Sequence, residues 1–245
     1  MTKAKSVARQ PVAVEAENEP MLPETWRRRP WIPYLLMVAI LAVVLGAGFA
    51  MNKALQPVVP TQLANCKTAV LLAPHEYAGR QPICIQRGKT YTATLDTTQG
   101  QIVIRLLPEV APVTVNNFVV LAVNGYFNGL TFWSAPDWNI QSGDPEGDGT
   151  GGPGYNLPEE PTPTFGWEAG SVGMARVPGG PINGSQFFIV KSAWPNGGPA
   201  SVYNRFGTVT VGLDKASAIT AGDRINTVTI TVTDTVTTPT ASASR

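Results

Sequence analysis

The chain has 245 residues and a formal net charge of +1, long enough for one domain of about 150 residues plus flanking segments. Because no stretch alternates basic with aromatic residues, a nucleic-acid-binding surface is not expected. One histidine and two cysteines are too few for a usual zinc site, and we expect no cofactor. Charged residues make up 14% of the chain, against 24 glycines and 22 prolines, which is typical of a loop-rich β protein.

The N-terminal part combines a polar tail with a long apolar run. Residues 1–30 show no helical apolar period and are predicted to be a disordered tail. Residues 31–51 carry no charge, and a helix of that length would span a bilayer. Lysines and arginines are concentrated before the run, which predicts a single-pass protein of the cell membrane with a cytoplasmic N-terminus and an extracytoplasmic C-terminal domain. The alternative is a signal peptide cleaved near Gly48-Phe49-Ala50.

Residues 52–88 are predicted to be an extracytoplasmic connector that contains both cysteines. In an oxidising compartment these thiols would pair, so we predict a disulfide between Cys66 and Cys84. Free or lipidated thiols are the alternative. Residues 235–245 are rich in Ser, Thr and Ala and are predicted to be a flexible tail. The folded domain is therefore expected at residues 89–234.

Alternating apolar residues and turn signals predict a mainly β domain. Apolar residues alternate at 91–95 and 102–106 on either side of a turn, which indicates a hairpin. Pro112 begins a helical stretch that Gly125 ends. Further elements are predicted as strands at 187–190, 206–209 and 228–232 and a short helix at 214–220. Many short strands with two helices predict a closed antiparallel barrel, which leaves no exposed sheet edge.

Two short motifs match known sites only in part. Residues 144–149 resemble the start of a calcium loop, but the twelfth position is Tyr155, where a bidentate glutamate is needed. Gly147, Gly149 and Gly152 match G-x-G-x-x-G without a preceding strand and a following helix. Neither a calcium site nor a dinucleotide site is therefore predicted.

Six other motifs follow one another along the domain, and Asn183-Gly-Ser-Gln-Phe-Phe-Ile189 is the most specific. The other five are Val113-Thr-Val-Asn-Asn-Phe118, Gly125-Tyr-Phe-Asn-Gly-Leu-Thr-Phe132, Gln141-Ser-Gly-Asp-Pro145, Gly149-Thr-Gly-Gly-Pro-Gly-Tyr155 and Phe206-Gly-Thr-Val209. In this order they resemble the cyclophilin family of peptidyl-prolyl isomerases. The resemblance implies a closed eight-stranded antiparallel barrel capped by two helices, with a substrate groove on its outer wall. We expect a monomer that binds Pro-containing polypeptide segments.

The resemblance also implies which residues form the groove. Phe188 matches the aromatic floor of the family's proline pocket. Gln141 matches a glutamine that bonds the substrate backbone. The other implied substrate-binding residues are Phe132, Trp138, Asn139, Ala175, Gln186, Trp194 and Tyr203.

The chain departs from the family pattern at the main catalytic donor. The family usually reads Phe-His-Arg where this chain has Phe132-Trp133-Ser134, so Ser134 takes the place of the arginine. A neutral hydroxyl lacks the charge-assisted, forked bonding of a guanidinium, and loss of one donor typically lowers a rate by ~10²–10³. Arg176 stands where the family usually has asparagine, and we predict it as a replacement donor. A solvated surface arginine is the alternative.

Three functions are compatible with these features. The first is an extracytoplasmic prolyl isomerase that assists the folding of secreted or envelope proteins. The second is a catalytically weakened domain that binds Pro-containing segments as a chaperone or scaffold. The third is a structural module of an envelope assembly. A cis–trans assay distinguishes the first from the others, and peptide binding without turnover favours the second.

Overall fold

The computed structural model describes residues 34–35, 37–43, 60–67, 71–160, 166–192, 194–195 and 202–234. The chain divides into two compact units, Met1–Gln56 and Pro57–Arg245. In the first unit, residues 34–35 and 37–43 are helical and their side chains are exposed. Among the described residues, no helix has the length and apolar character needed to cross a bilayer. The predicted tails and most of residues 31–51 lie outside the described residues, so the membrane anchor stays a prediction.

The second unit is mainly β, as predicted. Its elements in chain order are a 3-10 helix (Thr61–Lys67), β1 (Leu71–Ala73), β2 (Glu76–Tyr77), β3 (Lys89–Thr97), β4 (Gly100–Leu106), α1 (Pro112–Val123), β5 (Asn139–Ser142), β6 (Asn156–Leu157), β7 (Ser171–Met174), β8 (Ile182–Asn183), β9 (Phe187–Val190), β10 (Arg205–Val211), α2 (Leu213–Ala218) and β11 (Ile225–Asp234). Seven strands form one antiparallel sheet in the order β11-β3-β4-β10-β7-β9-β5. Two further pairs of strands, β1-β2 and β6-β8, each form a small two-stranded sheet.

The hairpin of β3 and β4 follows from side-chain alternation. Tyr91, Ala93 and Leu95 are buried, and the residues between them are partly exposed. Thr97 pairs with Gly100 at the turn, where the φ of +113° at Gly100 suits a residue without a Cβ. The period of two therefore places one face of the hairpin in the core.

The sheet is curled but does not close into the predicted eight-stranded barrel. The segment 129–134 would be the eighth strand, but it forms only two isolated bridges in the described part of the chain, Thr131 with Arg224 and Ser134 with Gln141. Its first half bonds to the chain at and just before β11, where the N–H of Phe132 donates to the backbone carbonyl oxygen of Asp223 at 2.8 Å. Only its end bonds to β5. Because the segment crosses from one edge strand to the other, it builds a continuous ladder with neither, and the prediction of a closed barrel is wrong.

The main core lies on the inner face of the curled sheet, and α1 packs into it. The ring of Phe118 in α1 is 4.8 Å from that of Phe127, 5.1 Å from that of Phe206 and 5.7 Å from that of Phe187. Contacts of this kind stabilise a core beyond the burial of apolar area. The helix therefore fixes the inner side of β9 and β10.

The residues before β3 pack against the same core. Leu63 and Cys66 of the 3-10 helix are buried, and Cys66 forms a disulfide with Cys84. Asn116 of α1 accepts a hydrogen bond from the N–H of Cys84 at 2.8 Å, and Asn124 donates to the carbonyl oxygen of Cys66 at 2.8 Å. The disulfide thus joins residues 60–67 to residues 71–88, and hydrogen bonds attach both segments to α1 and to Asn124 at its C-terminal end.

Candidate active site

The outer face of the sheet carries a second aromatic cluster, here called the outer cluster. It consists of Ala175, Phe188 and Val190, with Trp167, Trp194 and Tyr203 packed against them. Phe187 and Phe188 are neighbours in β9, and strand alternation sends the first into the main core and the second into the outer cluster. The two phenylalanines of the most specific motif therefore serve opposite faces of one strand.

Strand register places four residues in one row across this face. Arg205 of β10 pairs with Gly173 of β7, which pairs with Phe188 of β9. Phe188 in turn pairs with Gln141 of β5. Directly paired residues point to the same face of a sheet, so the side chains of Gln141 and Phe188 are neighbours. Gln141 is half-buried, and its side-chain amide has no partner in the described part of the chain.

Aromatic rings cover Phe188, which is only 3% exposed. The ring centroid of Trp167 is 5.2 Å from that of Phe188, that of Tyr203 is 5.5 Å away and that of Trp194 is 5.6 Å away. Trp138 extends the cluster through a contact of 4.6 Å with Trp194. The proline pocket implied above Phe188, here called the proline recess, is therefore filled in this structure by aromatic side chains of the chain itself.

The two predicted donors occupy different surroundings. The carbonyl oxygen of Ser134 accepts the N–H of Gln141 at 2.8 Å, which places Ser134 beside that glutamine. The guanidinium of Arg176 donates to the carboxylate of Glu159 at 2.5 Å and to the carbonyl oxygen of Val202 at 3.0 Å. The charge of Arg176 is thus paired at the rim of the outer cluster, because Arg176 follows Ala175 in the chain and its partner Val202 precedes Tyr203.

Three other predicted residues, Gln186, Asn139 and Phe132, are buried. Gln186 is buried and donates through Nε2 to the carbonyl oxygens of Gly149 at 3.0 Å and Gly151 at 2.8 Å, so this group holds a loop. Asn139 is 1% exposed, and neither Nδ2 nor Oδ1 has a hydrogen-bond partner among the described residues. Phe132 is fully buried in the main core. This position corrects the prediction that Phe132 binds substrate, because its ring points to the inner side of the sheet.

A polar network supports the loop behind the outer cluster. Tyr155 donates through Oη to Oδ1 of Asn117 at 2.6 Å, and burial raises the pKa of this tyrosine to about 12. The buried carboxylate of Asp144 accepts the N–H groups of Glu146 at 3.0 Å and Gly149 at 2.5 Å. Within the described ranges no group of residues is arranged to hold a metal ion. The acidic loop that resembles a calcium site therefore organises its own backbone.

Sequence reasoning missed Trp167, which lies in a segment without helical or strand periodicity. Buried Arg205 donates to the carbonyl oxygen of Gly166 at 2.7 Å and to the carboxylate of Glu168 at 3.2 Å. These contacts hold the residues on both sides of Trp167. A Cβ at Gly173 would lie 2.6 Å from the Trp167 ring, so this glycine makes room for it. A glycine inside a buried strand was the one signal in the sequence that a side chain approaches closely there.

A cavity of about 810 Å³ is found elsewhere in the second unit. It is lined by residues 83 and 85–90 together with Arg105, Leu106, Pro108, Glu109 and Pro112. None of the predicted groove residues lines it. We therefore assign the candidate site to the outer cluster, where Phe188, Gln141 and the predicted rim residues meet.

Comparison with known proteins agrees with this assignment. The family model for "Cyclophilin type peptidyl-prolyl cis-trans isomerase/CLD" matches residues 92–239. Peptidyl-prolyl cis-trans isomerase B of Bacillus subtilis (strain 168) is 44% identical over 128 residues, which cover 51% of this chain and 86% of the relative. Peptidyl-prolyl cis-trans isomerase of Synechococcus elongatus is 40% identical over 143 residues, which cover 56% of this chain and 94% of the relative.

Solved structures show the same fold. A crystal structure of a cyclophilin type peptidyl-prolyl cis-trans isomerase from Cryptosporidium parvum superposes with a TM-score of 0.52 at 25% identity, covering 58% of this chain and 98% of that one. A second crystal structure of that protein, in the presence of the dipeptide Ala-Pro, gives a TM-score of 0.51 at 26% identity, covering 57% of this chain and 98% of that one. Together with the motifs and the curled sheet, these matches show that the chain belongs to the cyclophilin-type peptidyl-prolyl cis-trans isomerases, a family of enzymes.

Proposed function

We propose that this enzyme isomerises X–Pro bonds of polypeptides at the outer cluster. The observation that carries the proposal is the pair of Phe188 and Gln141, an aromatic ring beside an amide that has no partner among the described residues. The relatives named above are peptidyl-prolyl isomerases, and one related crystal structure was determined in the presence of the dipeptide Ala-Pro. Both facts support a Pro-containing segment as the substrate.

The reaction needs no nucleophile. Rotation about a peptide bond has a barrier of ~18–20 kcal/mol because amide resonance is lost in the twisted form. A site accelerates the rotation if it binds the twisted amide better than either planar isomer. In this proposal Phe188 and the bordering rings of Trp194 and Tyr203 hold the prolyl ring, and the amide of Gln141 fixes the flanking backbone by hydrogen bonds. A donor near the prolyl nitrogen then stabilises the twisted state.

The donor is where this chain differs from its family. Ser134 lies beside Gln141 and offers a neutral hydroxyl, which stabilises charge less than a guanidinium does. Arg176 could supply a guanidinium only after separation from Glu159. We therefore propose a slow isomerase in which Ser134 is the resident donor and Arg176 contributes when its ion pair opens.

Nuclear magnetic resonance exchange on a Pro-containing peptide tests the proposal directly. The full-length chain is expected to raise the cis–trans exchange rate, and Phe188→Ala is expected to lower that enhancement sharply. Arg176→Ala separates the two donors, because an unchanged rate in this variant ends the proposed role of Arg176. If the wild-type chain produces no enhancement at any concentration, the enzymatic proposal fails.

A catalytically weakened binding domain is the second candidate, favoured by the neutral Ser134 and the paired Arg176. This candidate keeps the aromatic recess and lacks only the charged donor. It predicts that Pro-containing peptides bind with chemical-shift changes at Phe188 while their exchange rate stays at the uncatalysed value. Binding accompanied by faster exchange rules it out.

We further propose that the enzyme acts outside the cytoplasmic membrane on secreted or envelope proteins. The disulfide between Cys66 and Cys84 supports this location, because disulfides persist in oxidising compartments. The uncharged residues 31–51 that follow a basic tail support a membrane anchor. Protease added to intact spheroplasts should digest residues 57–234, whereas full protection of this region until lysis contradicts the proposal.

A further inference from the structure

We infer that Trp167 is an internal occupant of the proline recess, a side chain that must leave before a prolyl ring can stack on Phe188; this rests on the proposed function. The angles between the ring planes show which side chain covers Phe188. The planes of Trp167 and Phe188 are inclined by 39°, whereas Trp194 and Tyr203 meet Phe188 nearly edge-on at 72° and 88°. Trp167 therefore covers the ring of Phe188, and the other two rings border it.

No space remains between these four rings for a fifth. The six centroid distances among Phe188, Trp167, Trp194 and Tyr203 lie between 5.2 and 6.2 Å. Aromatic rings in contact have centroids about 4.5–7 Å apart, so every pair in this group is already in contact. A prolyl ring that stacks on Phe188 must displace one ring, and Trp167 overlaps Phe188 in the most nearly parallel orientation.

The sheet leaves an opening for the indole at Gly173. This glycine stands between Arg205 and Phe188 in the row across the strands. A Cβ at this position would lie 2.6 Å from the rings of both Phe188 and Trp167. Only a residue without a Cβ lets the two rings approach each other here. The glycine in β7 therefore provides the space that the Trp167 ring occupies.

The backbone around Trp167 is anchored while its side chain is only half-buried. Arg205 is 4% exposed and holds the carbonyl oxygen of Gly166 and the carboxylate of Glu168. A rotation of the Trp167 side chain would leave both of these contacts in place. We therefore expect the indole to move out of the recess while the residues on either side stay attached to β10.

An internal occupant affects both affinity and selectivity. The apparent dissociation constant rises in inverse proportion to the fraction of molecules in which the recess is open. Peptides with a large apolar residue beside the proline gain additional contact with Trp194 and Tyr203, which helps to offset the exposure of the indole. We expect such peptides to bind better than peptides with glycine at that position.

Three variants of the full-length chain test the inference. Trp167→Ala should lower both the dissociation constant and the KM for an Ala-Pro-containing peptide by roughly 3- to 30-fold, as expected for release of a partly buried aromatic ring, with kcat unchanged. Trp167→Phe should give an intermediate value. Val211→Ala, which shortens an apolar side chain that is 61% exposed, is the matched control and should behave as the wild type. Equal or weaker peptide binding by Trp167→Ala overturns the inference.

A spectroscopic measurement on the wild-type sequence covers the case in which Trp167→Ala does not fold. The tryptophans are replaced by 5-fluorotryptophan, and the Trp167 resonance is assigned from its absence in Trp167→Phe. Saturation with the peptide should move this fluorine resonance to a solvent-exposed position. If the wild type isomerises the peptide while the resonance stays unchanged, only the role of Trp167 fails. If the wild type neither binds nor isomerises the peptide, the proposed function fails as well.

Discussion

The two faces of β9 differ in how completely they satisfy their polar groups. On the inner side, Phe187 packs among other rings, and the nearby Tyr126 donates to Ser185 at 2.9 Å. On the outer side, around Phe188, both polar atoms of Asn139 and Nε of Arg176 are buried without a hydrogen-bond partner among the described residues. Buried polar groups without partners are rare and indicate either strain or a role in binding. The inner face is therefore organised for stability, and the outer face keeps unused hydrogen-bonding capacity for a ligand.

Phe187→Ala should produce the largest effect, and the effect should be on stability. Truncation of a fully packed phenylalanine typically lowers the free energy of unfolding by about 3–5 kcal/mol because a cavity remains. Urea unfolding followed by circular dichroism measures this loss. A loss below about 1 kcal/mol would show that the inner face is not the main source of stability.

Removal of the disulfide tests whether the residues before β3 contribute to stability, as the inner face of β9 does, and not to activity. The two cysteines are 18 residues apart in the sequence. Replacing both by alanine should lower the free energy of unfolding by about 3 kcal/mol, because the unfolded chain gains loop entropy. Isomerase activity per folded molecule should stay unchanged, because both cysteines pack with the main core. A selective loss of activity at full stability contradicts this division.

Phe188→Ala, in contrast to Phe187→Ala, should lower activity more than it lowers stability. Loss of the aromatic surface should lower kcat/KM by roughly 10- to 100-fold, as expected from the free energy of burying one such side chain. The free energy of unfolding should fall by about 2 kcal/mol, less than for Phe187→Ala, because the surrounding surface rings can collapse into the space. Comparison of exchange rates and urea midpoints for the two variants is the measurement. Equal activity in both variants would break the distinction between the faces.

Asp223→Asn should give the smallest effect, and its size should depend on pH. The N–H of Thr220 and then the hydroxyl of Thr98 hold the pKa of this carboxyl at about 2, against about 3.9 for an unfolded chain. The folded-state pKa is lowered, so the stabilisation is fully present above the unfolded value and is lost as pH falls through about 2.

The carboxylate of Asp223 is largely solvated, so we expect less than about 1 kcal/mol at neutral pH. Thermal unfolding of the wild type and of Asp223→Asn from pH 2 to pH 7 should therefore show two curves that converge at the acidic end. Curves that stay parallel over this range would contradict the lowered pKa. Activity should be equal in both proteins, because the carboxylate bonds to Thr98, Gln99 and Thr220, and none of these residues belongs to the outer cluster.

The sequence was sufficient for elements with a clear period. The hairpin of β3 and β4, helix α1 and strand β9 were all predicted close to their observed bounds. The two-residue strands β6 and β8 were missed because a pair of residues has no measurable alternation. The open side of the sheet was missed as well, since only hydrogen bonding in three dimensions shows that the segment 129–134 forms isolated bridges.

For the site, the resemblance assigned Phe188, Gln141, Trp194 and Tyr203 to the groove, and the structure has Trp194 and Tyr203 packed on Phe188, which pairs with Gln141. The motifs did not show that Trp167 would reach the same place, because a loop residue carries no signal of its distant contacts. They also assigned Phe132 to substrate binding, although its ring is buried in the main core. Position in a motif does not state the direction of a side chain, whereas strand alternation and burial do.

The most direct test of the account is to locate a bound prolyl ring on the full-length protein. Intermolecular nuclear Overhauser effects between an Ala-Pro-containing peptide and the labelled protein measure this position. We predict contacts from the prolyl ring protons to the ring of Phe188, together with a shift of the Gln141 side-chain amide. Prolyl contacts to residues that line the cavity beside Pro112, with none to Phe188, would contradict the account.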